Sequence, residues 1–165
     1  MVDRGEPEPR HGRQRPYRRV VCSRWFVQAV GNYGAGKNEK GGIRRTLVES
    51  WNGTAWSVAP SPNRGTEPNA LVGVSCVSAV SCKAVGWYQQ TSGGRYHTLI
   101  EPWDGTNWRL VSSPNRAAGA PSDNYLGVTG SALNSVSCLS PISCRAAGFY
   151  TNADGFDRTL VESYQ

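Results

Sequence analysis

The feature that constrains this chain most is that it repeats itself. Leu71-Val-Gly-Val-Ser-Cys76 returns 62 residues later as Leu133-Asn-Ser-Val-Ser-Cys138. Cys82-Lys-Ala-Val-Gly-Trp-Tyr88 returns as Cys144-Arg-Ala-Ala-Gly-Phe-Tyr150, with an earlier copy at Val27-Gln-Ala-Val-Gly-Asn-Tyr33. Thr46-Leu-Val-Glu-Ser-Trp51 returns as Thr98-Leu-Ile-Glu-Pro-Trp103 and Thr159-Leu-Val-Glu-Ser-Tyr164. Trp56 through Ser61-Pro-Asn-Arg64 returns 52 residues on as Trp108 through Ser113-Pro-Asn-Arg116. The difference between 52 and 62 is an insertion near residues 120–130. Three partial copies of one unit are present, and one unit repeated means one local structure repeated.

Each unit reads as four short strands. The Leu-x-x-Val-Ser-Cys run is the first and the Cys-x-Ala-Val-Gly-x-Tyr run the second, joined by a hairpin-sized connection at residues 77–81. The third, such as His97–Trp103, is β-branched and aromatic. Asn52-Gly53 and Asp104-Gly105 then mark tight turns, because both dipeptides tolerate positive φ. Trp56 and Trp108 open the fourth strand; Pro60, Pro62 and Pro114 end it, since proline cannot donate to a ladder. Helical periodicity is absent, and 19 glycines and 10 prolines suit a turn-rich chain. The expected fold is therefore all-β: a partial β-propeller of about two and three quarters four-stranded antiparallel blades. The expected organisation is a disordered basic tail (1–19), blade 1, itself partial (20–63), blade 2 (64–115), and blade 3 lacking its fourth strand (116–165).

A blade is covered by neighbours on both faces, so its strands should be apolar on both sides. Ala84 and Gly86 are small, which would let inner strands approach where blades converge. Trp51, Trp56, Trp103 and Trp108 would fill the wider space farther out, each burying on the order of 200 Å². Their recurrence at equivalent positions favours packing over a sugar-stacking stripe.

Cysteine spacing carries the sharpest chemical signal. Cys76 and Cys82 are six residues apart, as are Cys138 and Cys144, and each pair flanks a first-to-second-strand hairpin. Opposed Cβ atoms there come within disulfide reach. Of the three connectivities four cysteines allow, repetition selects the local pairs Cys76–Cys82 and Cys138–Cys144. Closing so short a loop is worth about 2–3 kcal/mol. Cys22 stands in the first copy, where Val27 occupies the partner position, and is expected to be unpaired. Zinc would need tighter cysteine spacing and more ligands, and Cys-x-x-Cys redox chemistry is excluded by the spacing. No metal site and no cofactor are expected.

Structural disulfides imply export. No apolar signal core follows the basic residues near the start, and Arg24 interrupts the run after Arg18-Arg19, so the true start is expected to lie outside this chain. No stretch reaches the ~18 apolar residues a membrane-spanning helix needs. The formal charge is +6, of which residues 1–19 supply +3 through six arginines against Asp3, Glu6 and Glu8. Those arginines alternate with Pro, Glu and Gly, the pattern of a solvated leader rather than a nucleic-acid arm.

The composite pattern Val-Ser-Cys…Cys-x-Ala-Val-Gly-x-Tyr…Thr-Leu-x-Glu-x-Trp-Asn/Asp-Gly-Thr-x-Trp…Ser-Pro-Asn resembles the repeat of a family of bacterial secreted β-propeller proteins, over residues 20–165. Ser50-Trp-Asn-Gly-Thr-Ala-Trp56 and Trp103-Asp-Gly-Thr-Asn-Trp108 also resemble degenerate Asp-box turns, which join third to fourth strands in sialidase-like propellers. The match is one residue short and Pro102 replaces the Asp-box Ser. The resemblance brings no catalytic residues with it.

The chain's own catalytic candidates are thin. Gly31-Asn-Tyr-Gly-Ala-Gly36-Lys37-Asn38 nearly spells a phosphate-binding loop, but Asn38 stands where Ser or Thr would hold Mg²⁺, and a strand follows instead of a helix. Glu49, Glu101 and Glu162 could suggest a glycosidase pair. One Glu per unit at one position reads better as an acceptor between blades. His97 is the sole histidine of the repeat region, too few for a Ser/His/Asp site. No catalytic residue is therefore assigned.

The expected function is a non-catalytic extracellular or cell-surface binding or scaffold module, a fragment of a larger propeller. Its partner would be a surface glycan or protein, not nucleic acid. The recognition loops would be Gly34–Arg45, with Lys37, Lys40, Arg44 and Arg45, and Ala117–Gly130. The alternative is a fragment of a propeller glycosidase or lyase whose centre needs missing blades. With fewer than the roughly four to eight blades of a closed ring, missing blades or self-association must complete it.

Overall fold

The computed structural model describes residues 14–23, 26–35, 43–116 and 129–164. Ten strands are described and no helix: β1 (Gln14–Ser23), β2 (Phe26–Ala35), β3 (Ile43–Trp51), β4 (Trp56–Ala59), β5 (Asn69–Ser78), β6 (Ser81–Gln89), β7 (Tyr96–Trp103), β8 (Ser131–Ser140), β9 (Ser143–Thr151) and β10 (Asp157–Tyr164). They form three antiparallel sheets in chain order, β1-β2-β3-β4, β5-β6-β7 and β8-β9-β10. Each is a meander, as short hairpin connections dictate.

Among the described residues, four regular strands occur in the first sheet only. In the second, Trp108 bridges Trp103, and Arg109 N–H and Val111 N–H donate to the Pro102 and Ile100 carbonyls at 3.1 and 3.2 Å. The segment after the turn thus pairs with β7 without becoming a regular strand. It leads into Ser113-Pro114, where the missing N–H stops the ladder.

The repeat is legible in the backbone register. Bulges fall between Pro16 and Arg18, Leu71 and Gly73, and Leu133 and Ser135. A second set falls between Val21 and Ser23, Cys76 and Ser78, and Cys138 and Ser140. One extra residue at the same two places bends each first strand alike.

Three expectations change. Gln14–Arg19, assigned to the tail, begin β1, because backbone pairing with β2 demands no apolar side chains; residues 1–13 lie outside the described residues. Val21 rather than Cys22 opposes Val27, so the first sheet carries Val/Val where the others carry Cys/Cys. Gly86 does not serve convergence of sheets. A Cβ there would strike the Ala70 carbonyl and lie 2.9 Å from Leu71 Cα, inside its own sheet. Gly73 is the residue at the convergence, where a Cβ would meet Ser135 Cα at 3.2 Å and Asn134 O at 3.3 Å.

The sheets stack in sequence order. β5 packs against β1, β2 and β3 on one side and β8 on the other, so the first strands of all three sheets lie together. Between the first and second sheets, Val30 and Val48 meet Leu71, Val74, Ala84, Leu99 and Trp108. Between the second and third, Val85 and Ile100 meet Leu133, Ala146 and Leu160. Each fully buried side chain of this kind contributes about 1.5–3 kcal/mol.

Candidate functional site

Two disulfides, Cys76–Cys82 and Cys138–Cys144, cross-link directly opposed residues of β5/β6 and β8/β9, with Cα atoms 3.9 and 4.0 Å apart. They imply an oxidising environment. Cys22 lies in β1 between Val21 and Ser23.

The joints between sheets account for the most repeated polar residues. At the end of the first unit, Asn63 Oδ1 accepts from Thr46 N–H at 3.0 Å, and the Pro62 carbonyl accepts from Thr46 Oγ1 at 3.1 Å. The second unit repeats this, with Asn115 Oδ1 accepting from Thr98 N–H at 2.8 Å and the Pro114 carbonyl accepting from Thr98 Oγ1 at 2.9 Å. The serine of the same tripeptide faces forward. Ser61 Oγ donates to Glu101 Oε2 at 2.8 Å and Ser113 Oγ to Glu162 Oε2 at 3.0 Å. Asn and Pro therefore close a unit on itself, while Ser ties it to the next. Glu101 and Glu162 accept hydrogen bonds across joints, as the one-per-unit spacing suggested.

Burial controls the charge of these acids. Desolvation pushes Glu101 up to about 8 against the opposing Ser61 hydrogen bond, so at neutral pH it is largely protonated. Glu162 is raised by burial, opposed by Ser113 and by Arg116. Glu101, locked in its strand and protonated, ties two sheets together through Ser61.

The turns behave as their sequences require. Asn52 Oδ1 accepts from Thr54 and Ala55 N–H, both at 3.0 Å; Asp104 Oδ1 accepts from Thr106 and Asn107 N–H, both at 2.9 Å. Those N–H bonds, from Asn107 first, hold the Asp104 carboxyl below its usual range. Gly53 and Gly105 supply φ of 97° and 94°. Behind the turns Trp51 meets Trp56 and Trp103 meets Trp108, with centroids 5.8 and 5.6 Å apart. Of the four, Trp108 is buried and the others are half-buried.

The opposite end of the sheets holds the β2–β3, β6–β7 and β9–β10 hairpins and the connectors between sheets. Of the expected recognition residues, Arg44 and Arg45 are described, and only one of them is available at this end. Arg44 is exposed in β3. Arg45 is used internally: its guanidinium donates to the Thr66 carbonyl at 2.9 Å, Glu67 at 3.3 Å and Gly65 at 3.4 Å, clamping the first connector. Asn69, buried at the start of β5, fixes the same connector, accepting from Arg64 N–H at 2.8 Å and donating to the Glu67 carbonyl at 2.7 Å. Lys37, Lys40, Asn38 and residues 117–128 lie outside the described residues. Gly34, Ala35 and Ile43–Arg45 pair within β2 and β3, so that loop is shorter than expected, and Gly31 is strand rather than phosphate loop.

Among the described residues, two hollows open at this end. One, of about 370 Å³, is lined by Gln90, Thr91, Gly93, Gly94, Arg95, His97 and Thr129. The other, of about 240 Å³, is lined by Trp87, Tyr96, Ala132, Asn134 and Phe149. Sequence reasoning missed the first because it treated His97 only as a failed catalytic residue. Its ring stacks on Tyr88 with centroids 5.1 Å apart, and the Arg64 guanidinium lies 5.3 Å from the centre of the Tyr88 ring. Burial first, then Arg95 and Arg64, hold His97 below the ordinary imidazole range. Among the described residues, no three His, Cys, Asp or Glu side chains gather as a metal site. Nor is any helix there long and apolar enough to cross a membrane.

Compared with known proteins, the chain matches no family model, and no curated protein or solved structure is significantly similar to it.

Proposed function

We propose that the three sheets are successive blades of a β-propeller of the bacterial secreted repeat type, four-stranded in the complete unit and with the third lacking its fourth strand, and that the protein is a non-catalytic extracellular binding or scaffold module. The observation that carries this is the repeated joint. First strands lie side by side, and a Ser-Pro-Asn tripeptide closes one sheet while its serine hydrogen-bonds the buried Glu of the next. A joint that recurs with one geometry rotates each sheet by a similar step, which builds a ring when enough units are present. A ring needs about four to eight blades, so further sheets come from a longer polypeptide or from other copies. Val161, exposed on the far face of the third sheet, supports that requirement. The two disulfides support an extracellular setting, and the Glu–Ser struts support a structural rather than catalytic use of the repeated acids.

Light scattering on the pure oxidised chain tests the assembly. Self-association is expected, and a stable, well-dispersed monomer would overturn the blade assignment. A glycan array paired with reporter glycosides tests the role. Binding without turnover is expected, whereas hydrolysis lost in Glu101→Gln would overturn the non-catalytic assignment.

A further inference from the structure

The first and second units each end in a segment of one form, Trp-x-x-x-x-Ser-Pro-Asn, running from Trp56 to Asn63 and from Trp108 to Asn115. Both segments lie along the third strand of their own sheet in the same way. Trp56 opposes Trp51 and Ala59 opposes Val48. In the second unit Trp108 opposes Trp103, and Arg109 and Val111 N–H donate to the Pro102 and Ile100 carbonyls. At the far end the Asn Oδ1 accepts from the N–H of Thr46 or Thr98, and the Pro carbonyl accepts from the same threonine's hydroxyl. Under these segments Thr46 and Thr98 are both 3% exposed.

β10 carries the same receiving groups. Thr159-Leu-Val-Glu-Ser163 repeats the five residues that begin at Thr46, and among the described residues β10 is the outer strand of its sheet, paired with β9 alone. In an antiparallel strand the N–H and C=O of one residue point to the same side, and successive residues alternate. Thr98, Ile100 and Pro102 turn these groups to the closing segment, so the equivalent Thr159, Val161 and Ser163 turn theirs to the open edge. Thr159 is exposed where its two counterparts are buried. Such an edge is a template for a further strand. It is continuous with the joint to the second sheet, which holds β10 in place through Ser113 Oγ, 3.0 Å from Glu162 Oε2 and 3.3 Å from the Tyr164 hydroxyl.

We propose that the edge of β10 receives an extended Trp-x-x-x-x-Ser-Pro-Asn segment of a separate polypeptide, antiparallel, with its Trp at Tyr164 and its Asn at Thr159. Main-chain hydrogen bonds hold the segment along the edge. Selectivity comes from the Trp ring against Tyr164 and from the Asn Oδ1 accepting the Thr159 N–H. The proposal rests on reading the three sheets as copies of one four-stranded unit, and it names what completes the third.

A peptide of residues 55–64, titrated into the oxidised chain and followed by backbone amide NMR, tests this. Shifts are expected along residues 157–164, with β1, β5 and β8 unmoved. A nitroxide on the peptide's first residue should broaden Tyr164 more than Thr159. Trp56→Ala in the peptide should weaken binding about tenfold, through the lost ring contact. Asn63→Ala in the peptide and Thr159→Val in the protein should each weaken it about fivefold, the contribution of one hydrogen bond. The peptide changes leave the protein's own fold untouched. Binding that survives scrambling of the peptide, shifts centred on another strand, or the reverse order of broadening would overturn the proposal. So would protection of the Thr159, Val161 and Ser163 amides from solvent exchange in the chain without peptide, because its own residues or a second copy would then cover the edge. A chain that self-associates yet ignores the peptide overturns the strand site and leaves the stacking of blades standing.

Discussion

β7 and β10 carry nearly the same four residues, Thr98-Leu-Ile-Glu101 and Thr159-Leu-Val-Glu162, in different surroundings. All four are buried in β7, because the first sheet covers one face and the third covers the other. In β10 burial alternates: Leu160 and Glu162 are buried against the second sheet, while Thr159 and Val161 are exposed. Val48 and Ile100 are 0% and 1% exposed, and Val161 at the equivalent place is 62% exposed. Among the described residues the third sheet meets one neighbouring sheet and leaves Val161 in water, whereas in β3 the equivalent residues 46–49 are all buried, as in β7.

Substitutions that separate the two sheets put numbers on this difference. Ile100→Ala should destabilise by about 2–5 kcal/mol, the range for truncating a fully packed aliphatic. Urea unfolding that shows a loss below 1 kcal/mol would mean that the second and third sheets do not pack as described. The disulfides should rank next. Because the first sheet carries Val21/Val27 at the same register, Cys138→Val with Cys144→Val should fold and lose about 2–3 kcal/mol of cross-link stabilisation. The matching pair at Cys76 and Cys82 should lose a similar amount, and thermal melts of both double variants compare them.

Acidity distinguishes the buried strut. Native Glu101 keeps its proton up to about pH 8, whereas the unfolded chain releases it near 4.5. Between those values the folded state binds more protons, so stability is full below 4.5 and falls as pH rises, by up to about 1.4 kcal/mol per pH unit. Glu101→Gln should flatten that slope in chemical denaturation series from pH 5 to 8. Glu162→Gln should act in the same direction.

Removing the serine partners is a smaller change. Ser61→Ala and Ser113→Ala should each cost about 1 kcal/mol, and a double-mutant cycle of Ser61→Ala with Glu101→Ala should show coupling. Independent effects would separate the hydrogen bond from the joint. The smallest effect belongs to Val161→Ala, within about 0.5 kcal/mol for the isolated chain, because its side chain faces solvent. Under conditions of self-association, the same substitution should weaken the assembly if that face is covered by a neighbour. An association constant that stays unchanged would locate the contact elsewhere.

Local chemistry was readable in the residues. Asn52-Gly53 and Asp104-Gly105 became side-chain-capped turns, and the six-residue cysteine spacing became two cross-strand disulfides. One acid per unit led to Glu101 and Glu162 as acceptors between sheets. Each depends on neighbours a few residues away or on repetition, and both are visible in a linear text. The misreadings share a different cause. The extent of β1, the register that sets Val21 against Val27, and the role of Gly73 all depend on which backbone lies alongside. Arg45 looked like a free recognition residue and is occupied by three carbonyls of a connector some 20 residues away.

The sequence alone determined that this is an all-β chain of repeated antiparallel meanders, stapled at the first hairpin of two units. Strand periodicity, turn dipeptides and cysteine spacing act over short range and do not need the rest of the fold. The tertiary structure alone decided which face of each sheet is covered, which repeated acid becomes a neutral strut, and that Arg64 and His97 share one tyrosine. Burial and electrostatics are set by distances in space, and residues far apart in the chain reach those distances only after the sheets have stacked.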